Sequence, residues 1–95
     1  MVNPPFETGK AYLFCQVTLY YVGRVKDKGL GWVLLEDASW VHWTGRLSEL
    51  LKKQSFAKVT SRKPRLERCG EVGIATSALV SWYPWHGELP AESIQ

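Results

Sequence analysis

Residues 17–38 constrain the fold more than any other part of this chain. Apolar and polar residues alternate there, and Gly23, Gly29 and Gly31 interrupt the alternation. This pattern is typical of antiparallel strands that bend or turn at glycine. We expect a long first strand that bends at Gly23, a short basic strand, and a return strand over residues 32–37. A strongly bent meander of this kind predicts a small open barrel.

Residues 1–54 are expected to contain a lead-in, the first strand and a short helix. Alternation begins at Ala11, so the first strand is predicted over residues 11–22, after a Pro-containing lead-in of residues 1–9. Residues 38–43 are ambiguous between strand and helix. Leucines at positions 47, 50 and 51 predict a short amphipathic helix over residues 45–54, with Thr44 as its N-cap.

The second half of the chain has a less regular pattern. Residues 56–60 are expected to form a short strand, and residues 61–70 a polar, basic loop that contains Pro64 and ends at Gly70. Alternation returns in residues 71–82 and predicts a last long strand. Residues 88–95 are expected to be a loose tail. The 95 residues therefore predict one mostly β domain, residues 1–95.

The charge and the cysteines bear on partners and compartment. The formal net charge is +3, and most of the twelve Lys and Arg lie between Arg46 and Arg68. This local excess has two interpretations, attraction of phosphate or an ordinary solvated surface. We expect no signal peptide, and no segment of the sequence approaches the roughly 20 apolar residues that span a membrane. Cys15 and Cys69 lack CxxC spacing and are predicted to be reduced thiols of a cytoplasmic protein that does not contact membranes.

No residue pattern predicts catalysis. The two histidines are not at a spacing typical of a zinc site. Glu36 and Asp37 are adjacent, so in a strand they point to opposite faces, and their expected role is to cap a strand end or to pair with Arg24 or Arg46. Neither a nucleophile motif nor a glycine-rich phosphate-binding loop is present. We therefore expect no enzyme activity, no catalytic residue, no metal, no cofactor and no small-molecule substrate.

Two parts of the sequence resemble the two motifs of Sm-like proteins. The first motif consists of a long strand, a glycine, a polar loop and an apolar strand that ends in acidic residues and alanine. The second consists of two short strands around a tight turn. The corresponding segments are 17–19, 23–25, the loop 26–32 and Val33-Leu-Leu-Glu-Asp-Ala38 for the first motif, and 72–80 with Trp82 for the second. Residues 35–40 and 44–47 are similar to phage-encoded Sm-like proteins, which carry a short helix between the motifs.

The resemblance implies a small SH3-like or Sm-like open barrel of five bent antiparallel strands with one short inserted helix. It also implies a homo-oligomeric ring in which the edge strands of neighbouring subunits pair, with single-stranded RNA bound around the pore. A ring of about five to seven subunits would cover the edge strands that an open barrel leaves unpaired.

The same resemblance implies which residues contact RNA. In Sm-like proteins the contacts come from the loop after the second strand and from the turn between the last two strands. Trp32 stands where the family usually has Asn, and Ala75-Thr76 replaces Arg-Gly. The corresponding positions of this chain are Lys28, Gly31 and Trp32 in the first segment, and Ala75, Thr76 and Ser77 in the second.

The predicted function is a non-catalytic Sm-like ring that binds RNA or single-stranded nucleic acid. Such binding requires basic residues interleaved with aromatic residues. Two alternatives remain: Trp32 lies in the core or in an interface, and the basic residues form an ordinary solvated face. The five Trp also favour another function, a ring-forming structural or protein-interaction module with no nucleic-acid role. The candidate nucleic-acid-binding residues are Arg24, Lys26, Lys28, Trp32 and Thr76.

Overall fold

A computed structural model describes residues 5–95 and shows five antiparallel strands in one open sheet with one short helix. The strands are β1 (Ala11–Cys15), β2 (Tyr20–Gly29), β3 (Trp32–Trp43), β4 (Arg65–Ala75) and β5 (Ser81–Trp85). Their order in the sheet is β4-β3-β2-β1-β5, so β4 and β5 are the edge strands. The mostly β fold class is confirmed, and the arrangement fits a small open barrel. Residues 1–4 of the predicted lead-in lie outside the described residues. The helix α1 spans Leu47–Lys53, and 3₁₀ turns lie at Phe56–Lys58 and Thr76–Ala78.

The predicted single strand over residues 11–22 is wrong, because the chain reverses in its middle. β1 pairs antiparallel with β2, and Cys15 lies opposite Tyr20. The backbone N–H of Gln16 donates to the carbonyl of Leu19 over 2.8 Å, which closes the turn. Val17 at its tip is 85% exposed. No Gly or Pro marks this turn in the sequence, so the alternation appeared continuous.

The predicted bend at Gly23 coincides with an irregularity between β2 and β3. The pairing register shifts between Val22 and Arg24. A Cβ at Gly23 would lie 3.2 Å from the Cα of Ala38, so the missing side chain permits a close approach of the two strands. β3 continues to Trp43, which assigns the ambiguous residues 38–43 to a strand. Residues 26–29 of the expected 26–32 loop belong to β2.

The segment between β3 and β4 is partly as predicted. The helix predicted over residues 45–54 forms at Leu47–Lys53. Because it begins at Leu47, its N-cap is Arg46 and not the predicted Thr44, whose hydroxyl donates to the carbonyl of Gly45. The expected short strand over residues 56–60 is a 3₁₀ turn at Phe56–Lys58.

Two further predictions in the second half are wrong. Residues 65–70 of the expected basic loop belong to β4, in which buried Leu66 alternates with exposed charged neighbours. The expected strand over residues 71–82 is divided, because the 3₁₀ turn Thr76–Ala78 separates β4 from β5.

Apolar side chains are buried on both faces of β1. Leu13 and Cys15 belong to a cluster that includes Leu50 of α1 and Trp85 of β5, and Phe56 lies 5.2 Å from Trp85 between ring centroids. The alternate residues Tyr12 and Phe14 belong to a second cluster on the other face. Phe6, Tyr12, Phe14, Val25, Val33, Leu35, Ala38 and Ile74 form that second cluster. Since both faces of β1 are buried, α1 and the 3₁₀ turn at Phe56–Lys58 are structural parts of the core.

Residues 88–95 are packed rather than loose. Leu66 of β4 exchanges two backbone hydrogen bonds with Ile94, each 2.9 Å long. The backbone N–H of Arg68 donates to the Ser93 hydroxyl over 3.0 Å. Leu89 and Ile94 also contact the first cluster. The tail therefore covers the first part of the outer edge of β4, an interaction that the polar composition of residues 88–95 does not predict.

Candidate nucleic-acid interface

The tip of the β2–β3 hairpin brings the two predicted RNA-contacting segments together. Trp32 begins β3 and pairs with Ala75, the last residue of β4. The backbone N–H of Thr76 donates to the carbonyl of Gly31 over 3.0 Å. Trp32 and the half-buried Thr76 thus share one end of the sheet.

Trp32 is a surface residue of the single chain. Its side chain is 43% exposed. The indole lies over Gly29, its cross-strand partner, because a Cβ placed on Gly29 would overlap the indole ring. One part of the ring is therefore fixed against the hairpin and another part faces solvent. This arrangement can present an aromatic surface for stacking, and it rules out a core position for Trp32 within the chain.

Lys28 lies on the other face of the hairpin from Trp32. It pairs with the buried Val33, and side chains of directly paired residues share one face of a sheet. The Lys28 ammonium donates to the backbone carbonyl of Phe6. The fold therefore places Lys28 and Trp32, which were predicted to lie in one site, on opposite faces of the hairpin.

The other two predicted cations, Arg24 and Lys26, have carboxylate partners. The Nη1 atom of Arg24 lies 3.0 Å from Oδ2 of Asp37 and 3.6 Å from Oε2 of Glu36. The Nζ atom of Lys26 lies 2.5 Å from Oε2 of Glu71. The hydrogen bond with Glu71 raises the pKa of the Lys26 ammonium above its ordinary value, so the ion pair favours the charged form. A phosphate would have to compete with carboxylates for both side chains.

Asp37 occupies a β-bulge held by two arginines. Its backbone is left-handed (φ 51°), and the β3–β4 register shifts between Leu35 and Ala38. This bulge explains why Glu36 and Asp37 both reach Arg24, although neighbours in a regular strand point to opposite faces. Hydrogen bonds from Arg24, and then from Arg68, hold the pKa of the Asp37 carboxyl below its ordinary value.

Arg68 completes this cluster from β4. Its guanidinium donates to the Asp37 carboxylate over 3.2 Å, to the Asp37 backbone carbonyl over 2.9 Å and to the buried Ser39 hydroxyl over 3.1 Å. A cleft of about 620 Å³ lies beside the cluster. Sequence reasoning missed Arg68 because it was assigned to a loop. Since carboxylates balance the arginines, the cluster stabilises the bulge and carries little free positive charge.

The two histidines lie apart from each other and contact different side chains. His42 stacks on Trp40 with ring centroids 3.8 Å apart, and its Nε2 lies 3.7 Å from Glu67. The backbone N–H of His86 donates to the side chain of Gln54 over 2.6 Å. Within residues 5–95, no three His, Cys, Asp or Glu side chains are grouped so that they could hold a metal ion.

Two further findings concern the described part of the chain and its relatives. None of its helices is long and apolar enough to cross a membrane. Comparison with protein-family models, with curated proteins and with solved structures found no match to this chain.

Proposed function

We propose that the protein is a non-catalytic, Sm-like ring protein of the cytoplasm that binds RNA or other single-stranded nucleic acid. The observation that carries this proposal is the partly exposed Trp32 indole beside the Thr76–Ala78 turn. Stacking of one base on such a ring contributes about 1–3 kcal/mol and depends little on base identity. Cys15 and Cys69 are both free thiols, which is in keeping with a reducing compartment.

The two edge strands support the proposed ring. The tail contacts the outer edge of β4 at Leu66 and Arg68. From Gly70 to Ala75, β4 pairs with β3 on its inner side, and on its outer side it has no strand partner within residues 5–95. β5 is the opposite edge and contains Pro84, a residue tolerated only at edges. Pairing of β4 with β5 of a neighbour would cover both edges in a closed ring of about five to seven subunits.

Stacking, more than charge, is expected to provide affinity at this end of the sheet. Arg24 and Lys26 are engaged by Asp37 and Glu71, and Lys28 by the backbone. Few counterions are released when the cations at a site are already neutralised, so this interface alone should give a shallow dependence of affinity on salt.

The test combines solution mass with oligonucleotide binding. Light scattering should give one discrete mass of about five to seven subunits, and labelled oligo-U or oligo-A should bind at low salt. Trp32→Ala should weaken binding about 5- to 150-fold and leave the mass unchanged, because it removes one stacking surface. Trp82→Ala is the matched control, since Trp82 is also 43% exposed but lies in β5 and contacts Phe6, which precedes β1.

Two results would contradict the proposal. Dissociation of the ring by Trp32→Ala would make Trp32 an interface residue. Failure of the wild-type protein to bind either oligonucleotide at low salt would exclude the nucleic-acid role altogether.

A second function is favoured by the apolar surface of the chain. Val17, Leu30 and Val80 are large apolar residues exposed in the single chain. If these residues form one contiguous patch on the surface, such a patch is typical of a protein-interaction site. We propose as the alternative a ring-forming structural or interaction module with no nucleic-acid role. A discrete ring mass without oligonucleotide binding would select it.

A further inference from the structure

The end of the sheet opposite Trp32 carries arginines that lack carboxylate partners. In the basic stretch 46–68, Lys53 pairs with Glu49 and Arg68 pairs with Asp37. By contrast, Arg46, Arg62 and Arg65 form no ion pair with any residue from Pro5 to Gln95. All three are exposed. Free positive charge is therefore concentrated at this end, within the basic stretch for which the sequence left two interpretations, attraction of phosphate or a solvated surface.

Trp43 lies among these arginines. It is the last residue of β3 and is 45% exposed. The guanidinium carbon of Arg62 lies 6.0 Å from the centroid of the Trp43 ring, at the outer limit of a cation–π contact. Arg65 is the cross-strand partner of Trp43 in β4. An open cleft of about 320 Å³ lies beside the ring and is lined by Trp43, Gly45, Arg46, Ser61 and Arg62.

The segment that carries Arg62 is held in place by α1. The Glu49 carboxylate accepts hydrogen bonds from the Ser61 hydroxyl over 2.7 Å and from the backbone N–H groups of Thr60 and Ser61, each over 3.2 Å. Lys53 donates to the same carboxylate over 2.9 Å. The backbone next to Arg62 is therefore held before any ligand binds, which lowers the entropic cost of ordering this segment.

We propose that Trp43, Arg46, Arg62 and Arg65, here named the Trp43 platform, form a second contact surface for single-stranded nucleic acid. A base stacks on the exposed part of the indole, and the arginines contact the flanking phosphates. A single strand fits better than a duplex, because only an unstacked base can cover the indole. This inference rests on the proposed function and adds the phosphate contacts that the Trp32 end lacks.

The two surfaces lie at opposite ends of one strand. Trp32 and Trp43 are the first and last residues of β3. A strand rises about 3.3 Å per residue, which puts the two positions up to roughly 36 Å apart along the chain. The long dimension of the molecule is 40 Å. Substitutions at the two ends should therefore have independent effects on binding.

The experiment measures fluorescence anisotropy of labelled oligo-U between 50 and 300 mM salt. Trp43→Ala should weaken binding about 5- to 150-fold, and Trp43→Phe should restore much of it, because a stacking ring remains. The double variant Arg46→Gln/Arg65→Gln should reduce the slope of log affinity against log salt by about 1.4, since each phosphate contact to a single strand contributes about 0.7. Trp82→Ala is the aromatic control, and circular dichroism confirms that each variant is folded.

Four outcomes would overturn the platform. If Trp43→Ala and the double arginine variant both bind as wild type while Trp32→Ala does not, the platform is wrong and the proposed function stands. If only the salt slope changes, the surface contacts phosphate without stacking a base. If poly-glutamate competes as well as oligo-U, the surface serves acidic proteins. Absence of wild-type binding at 50 mM salt would overturn both proposals.

Discussion

Gly45 offers a direct test of how the Trp43 platform is built. This buried residue links β3 to α1 and has a left-handed backbone (φ 70°). A Cβ at Gly45 would lie 2.5 Å from the backbone carbonyl oxygen of Arg62 and 2.7 Å from the side chain of Val59. Gly45→Ala therefore forces an unfavourable backbone conformation, at about 1–2 kcal/mol. It also forces a displacement of the Arg62 segment, at about 1–3 kcal/mol.

The expected loss for Gly45→Ala is thus about 2–5 kcal/mol of unfolding free energy, or a fall in Tm of at least 8 °C for a domain of this size. Gly70→Ala is the matched control. Gly70 has a similar φ of 80°, but nothing lies within 4 Å of its ideal Cβ position, so only the backbone cost of about 1–2 kcal/mol applies.

Urea unfolding followed by tryptophan fluorescence gives both free energies. The difference between the two variants measures the contact between Gly45 and the Arg62 segment. Equal destabilisation by Gly45→Ala and Gly70→Ala would refute the reasoning, because it would mean that residues 59–62 do not pack against Gly45. Any folded Gly45→Ala protein should also bind oligo-U more weakly, since Arg62 is displaced from Trp43.

Two further predictions concern Gly29 and Glu49. Gly29→Ala should push the Trp32 indole away and weaken oligo-U binding with little change in stability, about 0.5 kcal/mol, because a surface side chain can rotate; unchanged affinity by anisotropy would contradict the stacking role of Trp32. Hydrogen bonds from Ser61, and then from Lys53, lower the pKa of Glu49 from 4.5 to about 2. Because the folded pKa is depressed, Glu49 contributes stability that is present above about pH 4.5 and is lost as the pH falls toward 2. The stability difference between wild type and Glu49→Gln should therefore shrink in acid, and a difference that stays constant from pH 6 to pH 2.5 would contradict the assignment.

The sequence predicted the fold class because the alternation of apolar and polar residues survives in most strands. It did not predict the β1–β2 turn, since the pattern stays in phase across Val17 and Thr18 and no glycine or proline interrupts it. It also missed the first part of β4, where Leu66 is a single buried apolar residue between charged ones. Tertiary packing against Val41 and Ile94 places that residue in a strand.

The candidate site was harder to predict than the fold. Trp32 and Trp43 are the exposed terminal residues of β3. The sequence predicted the start of this strand at residue 32 but not its end, because residues 38–43 were ambiguous between strand and helix. The pairing of Arg24 with both Glu36 and Asp37 depends on a bulge at Asp37. A left-handed aspartate in a strand has no local sequence signal comparable to that of glycine.

The net charge of +3 is a poor guide to where an anion binds, because the fold determines which cations are available. Arg24 and Arg68 are engaged in holding the bulge through Asp37, so they serve the structure of the sheet. Arg46, Arg62 and Arg65 face no carboxylate within the described chain and surround an exposed indole. An anion gains full attraction only from cations that do not have to leave a carboxylate first. The salt dependence of nucleic-acid binding should therefore follow substitutions beside Trp43, whereas substitution of Arg24 should act mainly on the stability of the fold.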